Sequence, residues 1–282
     1  MSEKYIHSPL NYPGGKYKLL SSILPLVPAD CKRFVDLFAG GFNVGVNTSC
    51  RGVALNDRIT DLVELYRYLY THTAEDVVSR VKDSEKRFGI NIKDPEPFLE
   101  MRAYYNWTKD PVLFFTLICW SFNHQIRYNG SMEYNSSFGY HKGGFNTSIE
   151  KNLVLFMNKL HSMKLDFSTC DFREFEFKEG DFVYLDPPYL LSVGVYNDGK
   201  RGFGGWNLGM EKSMYSLLDS LNDRGIRFLL SNVTVHKGVE NKYLLDWSKG
   251  YKVHYIDSSY SNCSYQLKDR ETKTVEVLVS NY

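Results

Sequence analysis

Apolar and polar positions along the first seventy residues follow an order that is typical of an α/β sheet. Short apolar runs end in small or acidic residues, and segments with apolar positions at helical spacing lie between them. The predicted elements are, in chain order, a helix over 16–27 interrupted at Pro25, a strand over 33–38, the opening of a helix over 43–49, a strand over 53–57 and a helix over 59–70. This alternation favours a parallel sheet covered by helices.

The pattern changes between residues 71 and 150. Two helices are predicted over 75–88 and 95–106, and a strongly apolar run follows over 112–120. Residues 121–146 are instead polar, aromatic and rich in Gly, Asn and Ser. Such a segment is too long for an ordinary connection in a compact domain, and long loops of this kind are usually functional. We therefore predict a module inserted into the α/β core.

The alternation of strands and helices returns after residue 150. The predicted elements are a helix over 153–160, strands over 163–167 and 181–185, a glycine-rich loop over 194–209, a helix over 211–223, a strand over 226–231 and a final strand over 273–280. A chain of 282 residues suffices for one large domain or for a core with a smaller insert. We predict the second arrangement, in which residues 1–58 and 151–282 form the core and residues 59–150 form the insert.

Composition and charge exclude few classes of protein. The formal net charge is +1, so an overall basic excess is absent, while a local basic face stays compatible with this value. The five cysteines have neither CxxC nor zinc-site spacing, so we expect reduced thiols and no metal site. No run of eighteen apolar residues is present, and the first residues lack the apolar core of a secretion signal. These features predict a cytoplasmic protein with no membrane partner.

Glycine and acidic residues follow the first two predicted strands. Asp36, Phe38 and Gly40 lie where the first strand turns, and glycine there lets the backbone approach a ligand closely. The spacing is neither GxGxxG nor that of a phosphate-binding loop, so a turn without a ligand is the alternative. Asp57 ends the second strand about twenty residues later, where a carboxylate can accept both hydroxyls of a ribose. The alternative for Asp57 is the N-cap of the next helix.

The segment NYPGGK at 11–16 predicts a turn before the first helix. Backbone N–H groups exposed by such a turn, together with the Lys16 cation, suit a carboxylate ligand. Tyr12, Gly15 and Lys16 are therefore candidates to bind a cofactor, and an ordinary surface turn is the alternative.

Asp186, Pro187, Pro188 and Tyr189 directly follow a buried strand. The two prolines cannot continue a strand ladder, so they form a rigid turn whose carbonyls lack competing internal donors. Asp186 supplies a second acceptor and Tyr189 supplies a flat ring. An adenine, with two N–H bonds beside a planar ring, matches this set of groups. We predict that this turn is the catalytic site, and the alternative is a strand-ending turn with an unrelated aromatic residue.

These motifs, in this order, resemble those of the Dam-type DNA adenine methyltransferases of enteric bacteria, restriction systems and T-even phages. The matching segments are an aromatic-x-GGK element at 12–16, an FxGxG-like cofactor loop at 38–41, a ribose-binding acid at 56–57, hairpin residues at 127–129, 133–135 and 138–139, the DPPY sequence at 186–189 and a Ser-Asn pair at 231–232. The order is that of the family's α group. The chain departs at Gly41-Phe42, where many members have a small residue and a further glycine.

The resemblance implies a Rossmann-like methyltransferase core sheet with helices on both faces, interrupted by a mostly helical DNA-recognition insert with a β-hairpin. It implies a site-specific DNA-methyltransferase (adenine-specific) that methylates the N6 of an adenine flipped out of double-stranded DNA, with GATC as target. A cognate restriction endonuclease is an implied partner, in a bacterial or phage-infected cell. The implied binding residues for the cofactor S-adenosyl-L-methionine are Tyr12, Gly15, Lys16, Asp36, Phe38, Gly40, Asp57 and Asp186.

The resemblance also assigns DNA contacts. Arg127 is the candidate for a bidentate contact to a guanine edge, and other polar and aromatic residues of the insert are candidates for base, phosphate or wedging contacts. The predicted DNA-contacting residues are Asn11, Asn123, Arg127, Tyr128, Asn129, Tyr134, Asn135, Phe138, Tyr140 and Lys142. The alternative for each is a contact that only folds the hairpin. The glycine-rich loop over 194–209 either closes over the flipped base or has no role.

Three other functions share parts of this pattern. Methylation of RNA adenine or of a protein glutamine uses a similar motif, because a planar NH2 group is the common target, but the RYN and FG segments of the insert favour DNA. A DNA-binding protein without catalysis is disfavoured by Asp57, Asp186 and Tyr189. An NAD-dependent oxidoreductase is disfavoured by the missing GxGxxG motif.

Overall fold

A central β-sheet organises the computed structural model, which describes residues 5–140, 143–191, 205–256 and 274–282. The strands in these ranges are β1 (Arg33–Asp36), β2 (Gly52–Asn56), β3 (Lys164–Ser168), β4 (Asp181–Leu185), β5 (Arg227–His236), β6 (Val239–Glu240), β7 (Lys252–Ile256) and β8 (Val275–Ser280). The helices are α1 (Leu20–Ile23), α2 (Thr60–Thr71), α3 (Ala74–Phe88), α4 (Glu96–Thr108), α5 (Pro111–Trp120), α6 (Thr147–His161), α7 (Leu208–Asp223) and α8 (Lys242–Trp247).

The strand order is β3-β2-β1-β4-β5-β8-β7. The first five strands of this order are parallel, so their carboxyl ends lie along one edge of the sheet. The order reverses direction between β1 and β4, which is where open α/β sheets bind their ligands. Because β8 runs antiparallel to β5, its first residues lie at this same edge. We call it the carboxyl edge.

Helices cover both faces of the sheet. Successive residues of a strand point to opposite faces, so neighbouring residues of one strand pack in different core clusters. Phe34 of β1 packs in a core cluster shared with residues of α2 to α6. The next residue, Val35, packs in a second cluster with residues of α7 and α8. The predicted Rossmann-like architecture is therefore confirmed, including the mostly helical segment between β2 and β3.

A short hairpin follows α5 in the described chain. Antiparallel bridges join Tyr128 to Tyr134 and Ser121 to Phe138. We refer to residues 121–140 as the recognition hairpin. Its position between α5 and α6 agrees with the predicted β-hairpin in the insert.

Side-chain caps set the ends of several helices. The Thr73 side chain accepts a hydrogen bond from the Asp76 amide at the start of α3, and Gly89 ends that helix in the left-handed conformation, with φ of 67°. Asp110 caps α5 immediately before Pro111, which suits the first helical position. Asn146 caps α6 in the same way. The caps of α3 explain why that helix lies close to its predicted bounds, whereas the Asn146 cap starts α6 six residues before the helix predicted over 153–160.

Three predictions for elements need correction. The opening of a helix over 43–49 is reduced to one 3-10 turn at Gly45–Asn47. The helix predicted from 211 begins at Leu208, because Asn207 caps it, so the loop predicted over 194–209 ends earlier. The glycines of that loop before residue 205 lie outside the described residues. Strands β6 and β7 and helix α8 were not predicted.

The prediction of reduced thiols is wrong for two cysteines. Cys31 and Cys50 form a disulfide with an S–S distance of 2.09 Å. Cys31 lies just before β1 and Cys50 just before β2, so the bond joins the amino ends of two neighbouring strands. Cys119 is a buried free thiol, and Cys170 is free and half-buried. Among the helices of the described residues, none is both long enough and apolar enough to cross a bilayer.

Candidate active site

Charged groups from three distant parts of the chain meet at the carboxyl edge. The Lys16 ammonium lies 2.9 Å from Asp186 Oδ2 and 3.7 Å from Glu276 Oε1. It also donates to the Gly14 carbonyl at 2.8 Å. Lys16 is 4% exposed and Glu276 is fully buried. A charge removed from water in this way is stable only when it is paired, so the three side chains form one electrostatic unit.

The Tyr189 hydroxyl closes this unit from the other side. Its oxygen lies 3.0 Å from Asp186 Oδ1, 2.9 Å from Glu276 Oε1 and 3.0 Å from Ser231 Oγ. The Lys16 ammonium is 5.0 Å from the centre of the Tyr189 ring. These contacts fix the plane of a half-buried ring that is held at its hydroxyl end. We refer to Lys16, Asp186, Tyr189, Ser231 and Glu276 as the carboxyl-edge cluster.

Burial governs the protonation of the acids at this edge. Burial raises the pKa of Asp186, and the charge of Lys16 opposes that rise. The pKa of Asp36 is raised to about 8, mainly by burial. A hydrogen bond from the Gly45 amide acts in the opposite direction and lowers this pKa, whereas the nearby charges of Asp186 and Asp57 raise it. Burial also raises the pKa of Asp57. The edge therefore favours a positively charged ligand, which would stabilise the ionised carboxylates.

Asp57 joins the two loops that follow β1 and β2. Its Oδ2 accepts from the Gly40 amide and its Oδ1 from the Ile59 amide, each at 2.9 Å. Because α2 begins at Thr60 after Ile59, Asp57 is not the N-cap of that helix. Each carboxylate oxygen keeps a second lone pair, so the side chain retains capacity to accept from a ligand.

Tyr12 explains the glycines of the loop after β1. A Cβ at Gly40 would lie 2.9 Å from Tyr12 Cε1, and a Cβ at Gly41 would lie 2.9 Å from Tyr12 Cβ. Gly40 also has a φ of +46°, which side chains rarely adopt. The turn at 11–16 is thus packed directly on the loop after β1, as expected if both contact one ligand.

Several residues of the site were missed in the sequence. Glu276 was missed because an alternating final strand gives no sign of its direction. Phe38 contacts Phe172, which follows β3, and Trp206, with ring centroids 5.5 and 5.7 Å apart. Trp206 in turn donates to the buried Glu211 carboxylate of α7. The position of Phe172 shortly after a strand is the one sequence signal that could have identified this group of three rings, Phe38, Phe172 and Trp206.

The predicted DNA-contacting residues of the recognition hairpin include exposed side chains and buried ones. Arg127 and Asn123 are exposed, and Tyr140 is 52% exposed. Tyr134 and Phe138 are only 1% and 5% exposed, and both pack in the core. In this structure those two rings hold the hairpin in place and do not face outward.

The remaining predicted residues have mixed positions. Asn129 closes the hairpin turn, because its side chain accepts from the Ser131 and Glu133 amides and donates to the Glu133 carboxylate. Asn135 is half-buried, and its amide donates to the Arg127 carbonyl at 2.8 Å. Asn11 is exposed, at the turn that packs on the loop after β1. Lys142 lies outside the described residues.

An open α/β sheet, a glycine loop after its first strand and a DPPY turn at its switch point define the Rossmann-like methyltransferase class. A model of the D12 class N6 adenine-specific DNA methyltransferase family matches residues 12–262, and the chain belongs to this family.

Curated relatives agree with this family. The Type II methyltransferase M.FokI of Planomicrobium okeanokoites is 44% identical over 284 residues, which cover 100% of this chain and 44% of that protein. The modification methylase StsI of Streptococcus sanguinis is 42% identical over 286 residues, with the same coverage. The DNA adenine methylase of Escherichia coli (strain K12) is 27% identical over 255 residues, which cover 88% of this chain and 86% of that protein. The chain thus spans less than half the length of the first two relatives.

Proposed function

We propose that this chain transfers the methyl group of S-adenosyl-L-methionine to the N6 of an adenine in double-stranded DNA. The DPPY turn within the carboxyl-edge cluster carries the proposal, because an acceptor, two prolines and a ring anchored by the cluster lie at one point. The family supports adenine as the base and DNA as the polymer. The resemblance to Dam-type enzymes supports GATC as the target.

The residues at the switch point fit the cofactor. Gly40 leaves space beside Tyr12 that a side chain would fill, and Asp57 offers free lone pairs to a ribose. We propose Tyr12, Gly15, Asp36, Phe38, Gly40, Asp57 and Asp186 as the residues around it. When bound, the cofactor supplies a methyl group activated by a sulfonium cation, which suits the acidic surroundings.

Lys16 has a different place from the one that we expected. Its ammonium is already engaged by Asp186, Glu276 and the Gly14 carbonyl. We therefore propose that Lys16 holds Asp186 in position and does not bind the carboxylate of the cofactor.

The target adenine must leave the duplex, because its N6 is out of reach inside the stack. Asp186 and the Pro187 carbonyl accept hydrogen bonds from the two N–H groups of the adenine amino group. The Tyr189 ring stacks on the base, and Pro188 keeps the turn rigid. Holding both N–H bonds directs the nitrogen lone pair towards the methyl group. The anchored hydroxyl of Tyr189 fixes the ring before the base arrives, so positioning and electrostatics provide most of the catalysis.

Target recognition falls to the segment between the two parts of the core. We propose residues 59–150 as the target-recognition domain and residues 1–58 and 151–282 as the catalytic domain. Arg127 is exposed at the hairpin and is suited to a guanine edge. Of the other predicted residues, we propose that Asn11, Asn123, Asn129, Asn135, Tyr140 and Lys142 join it, whereas Tyr128 is half-buried and its hydroxyl is engaged by Asp61. The names of relatives as modification methylases support a cognate restriction endonuclease as a partner.

The direct test uses purified protein and cofactor that carries a labelled methyl group. One DNA duplex contains GATC and a second has its GATC adenine already N6-methylated on both strands. We expect label only in the first duplex, and expect Asp186→Ala to lose it while Asp246→Ala, at an exposed aspartate, retains it. Equal labelling of both duplexes would remove the GATC assignment. Label in an RNA oligonucleotide and in neither duplex would overturn DNA as the substrate.

A further inference from the structure

Asp61, in the first turn of α2, contacts the recognition hairpin. Its Oδ2 atom accepts from the Tyr128 hydroxyl at 2.9 Å, from the Tyr105 hydroxyl of α4 and from the Lys109 ammonium at 3.4 Å. Its side chain is 19% exposed. One carboxylate oxygen therefore joins α2, α4 and the hairpin.

Tyr128 connects Asp61 to the exposed part of the hairpin. It lies between Arg127, which is exposed, and Asn129, whose side chain closes the hairpin turn. A fixed Tyr128 side chain restricts the backbone on both sides and therefore the origin of the Arg127 side chain. Burial raises the pKa of Tyr128 and of Tyr105, so both hydroxyls remain protonated donors to Asp61 at neutral pH.

The same helix end is tied to the cofactor loop. Asp57, one helical turn before Asp61 in the sequence, accepts from the Gly40 amide of that loop. The loop and the hairpin are thus attached to the two ends of a five-residue segment, 57–61. A displacement of the hairpin relative to the catalytic site is resisted at Asp61.

The hairpin has other attachments that do not involve Asp61. The Arg102 guanidinium donates to the Ser136 carbonyl at 3.0 Å, and the Asn106 side chain bonds both the amide and the carbonyl of Tyr134. Tyr134 and Phe138 add buried apolar contacts. The hairpin therefore keeps its fold when the Asp61 contact is lost, and the part that gains freedom is the Tyr128 side chain next to Arg127.

We propose that Asp61 is a positioning residue for target recognition, which holds Tyr128 so that Arg127 meets the target base in register with the catalytic site. This rests on the proposed function. Asp61 is not among the residues that we propose to hold the adenine or the cofactor, so its loss should weaken the use of DNA without slowing the chemical step.

The test compares Asp61→Ala, Tyr128→Phe and the double variant with wild type in steady-state kinetics on the duplex that wild type methylates. Loss of one hydrogen bond to a charged group corresponds to a roughly 10- to 150-fold rise in KM for DNA. We expect that rise in each single variant, kcat within about twofold of wild type, and no further rise in the double variant, since both changes break one contact. Discrimination against a duplex with one altered base pair should fall by a similar factor. Glu64→Gln, on the exposed side of the same helix, is the matched control.

Three outcomes would overturn the inference: unchanged KM and discrimination, additive effects of the two substitutions, or an equal loss of kcat with unchanged KM. A parallel measurement of DNA binding by fluorescence anisotropy separates this from failure of the proposed function. Should wild type transfer no methyl group to DNA, the proposed function fails, and the dissociation constants of the same variants for DNA still decide the place of Asp61. Thermal unfolding of each variant shows whether a change in affinity reflects a lost fold.

Discussion

Lys16 is the residue on which the electrostatics of the site depend. Its charge lies between two carboxyl groups, that of Asp186 directly after β4, which is half-buried, and that of Glu276 in β8, which is fully buried. Within the described residues, the ion pairs at the surface are more exposed and are each worth less than 1 kcal/mol. Replacing both partners of such a pair by apolar residues changes the free energy of unfolding little, whereas removing one partner lowers it strongly.

Replacing Lys16 by Met should therefore lower the free energy of unfolding by about 3 kcal/mol, because the buried Glu276 and the half-buried Asp186 carboxylates lose their counter-charge. Equilibrium denaturation in guanidinium chloride measures this change. Lys18→Met, at an exposed lysine two positions along the chain, should shift the free energy by less than about 0.5 kcal/mol. Equal stability of the two variants would contradict the assigned role of Lys16.

The raised pKa of Asp36, about 8, predicts a pH dependence for cofactor binding. In the free protein this carboxyl is largely protonated at neutral pH, and its contribution to folding stability is lost as the pH rises towards 8. A cationic ligand favours the ionised form, so binding releases protons and the affinity rises with pH between about 6 and 8, by at most tenfold per pH unit for each proton released.

Calorimetry in buffers of different ionisation enthalpy measures that proton release directly. S-adenosylhomocysteine, which lacks the sulfonium charge, is the control ligand and should release fewer protons. Asp36→Asn can still accept from the Gly45 amide and should reduce the release. Proton uptake on binding, or the same release for both ligands, would argue against a cation beside these acids.

Among the elements, the two strands that bracket the glycine loop are joined covalently. The Cys31–Cys50 disulfide closes a loop of 19 residues by sequence separation that contains β1 and the cofactor loop. Cross-linking a loop of this length limits the unfolded chain and stabilises the folded state by about 3 kcal/mol.

We therefore expect a reductant to lower the melting temperature of the wild-type protein. Cys50→Ser should melt at the temperature of the reduced wild type and should not respond to reductant. Circular dichroism melts with and without dithiothreitol make the comparison. Cys119→Ser, at a buried free thiol, controls for loss of a cysteine, since its melting temperature should still fall on reduction.

Most elements of the fold could be predicted because their signals are local. The strand over 181–185 has an apolar run before two prolines, and α3 has a threonine cap and a closing glycine. The elements between β5 and β8 could not be predicted in this way. Strands β6 and β7 and helix α8 are short and partly exposed, so their sequences lack a clear apolar period.

For the whole molecule, the sheet order decides which residues share the site. The DPPY turn and the glycine loop could be placed together from the sequence, because parallel strands bring their carboxyl ends to one edge. Glu276 could not, because only pairing with β5 shows that β8 runs in the opposite direction. The inward positions of Tyr134 and Phe138 also depend on packing against α4 and α5, which no local pattern specifies.

The span of the Lys16–Glu276 contact has a consequence for the timing of synthesis. Lys16 and Glu276 are 260 positions apart in the sequence, so the site has its full set of charges only when the whole interval between them has left the ribosome. Synthesis of an interval of this length takes on the order of tens of seconds. A nascent chain that has just completed the proline turn can pair Lys16 with Asp186 but still lacks Glu276, so the methyl transfer that we propose awaits the arrival of β8.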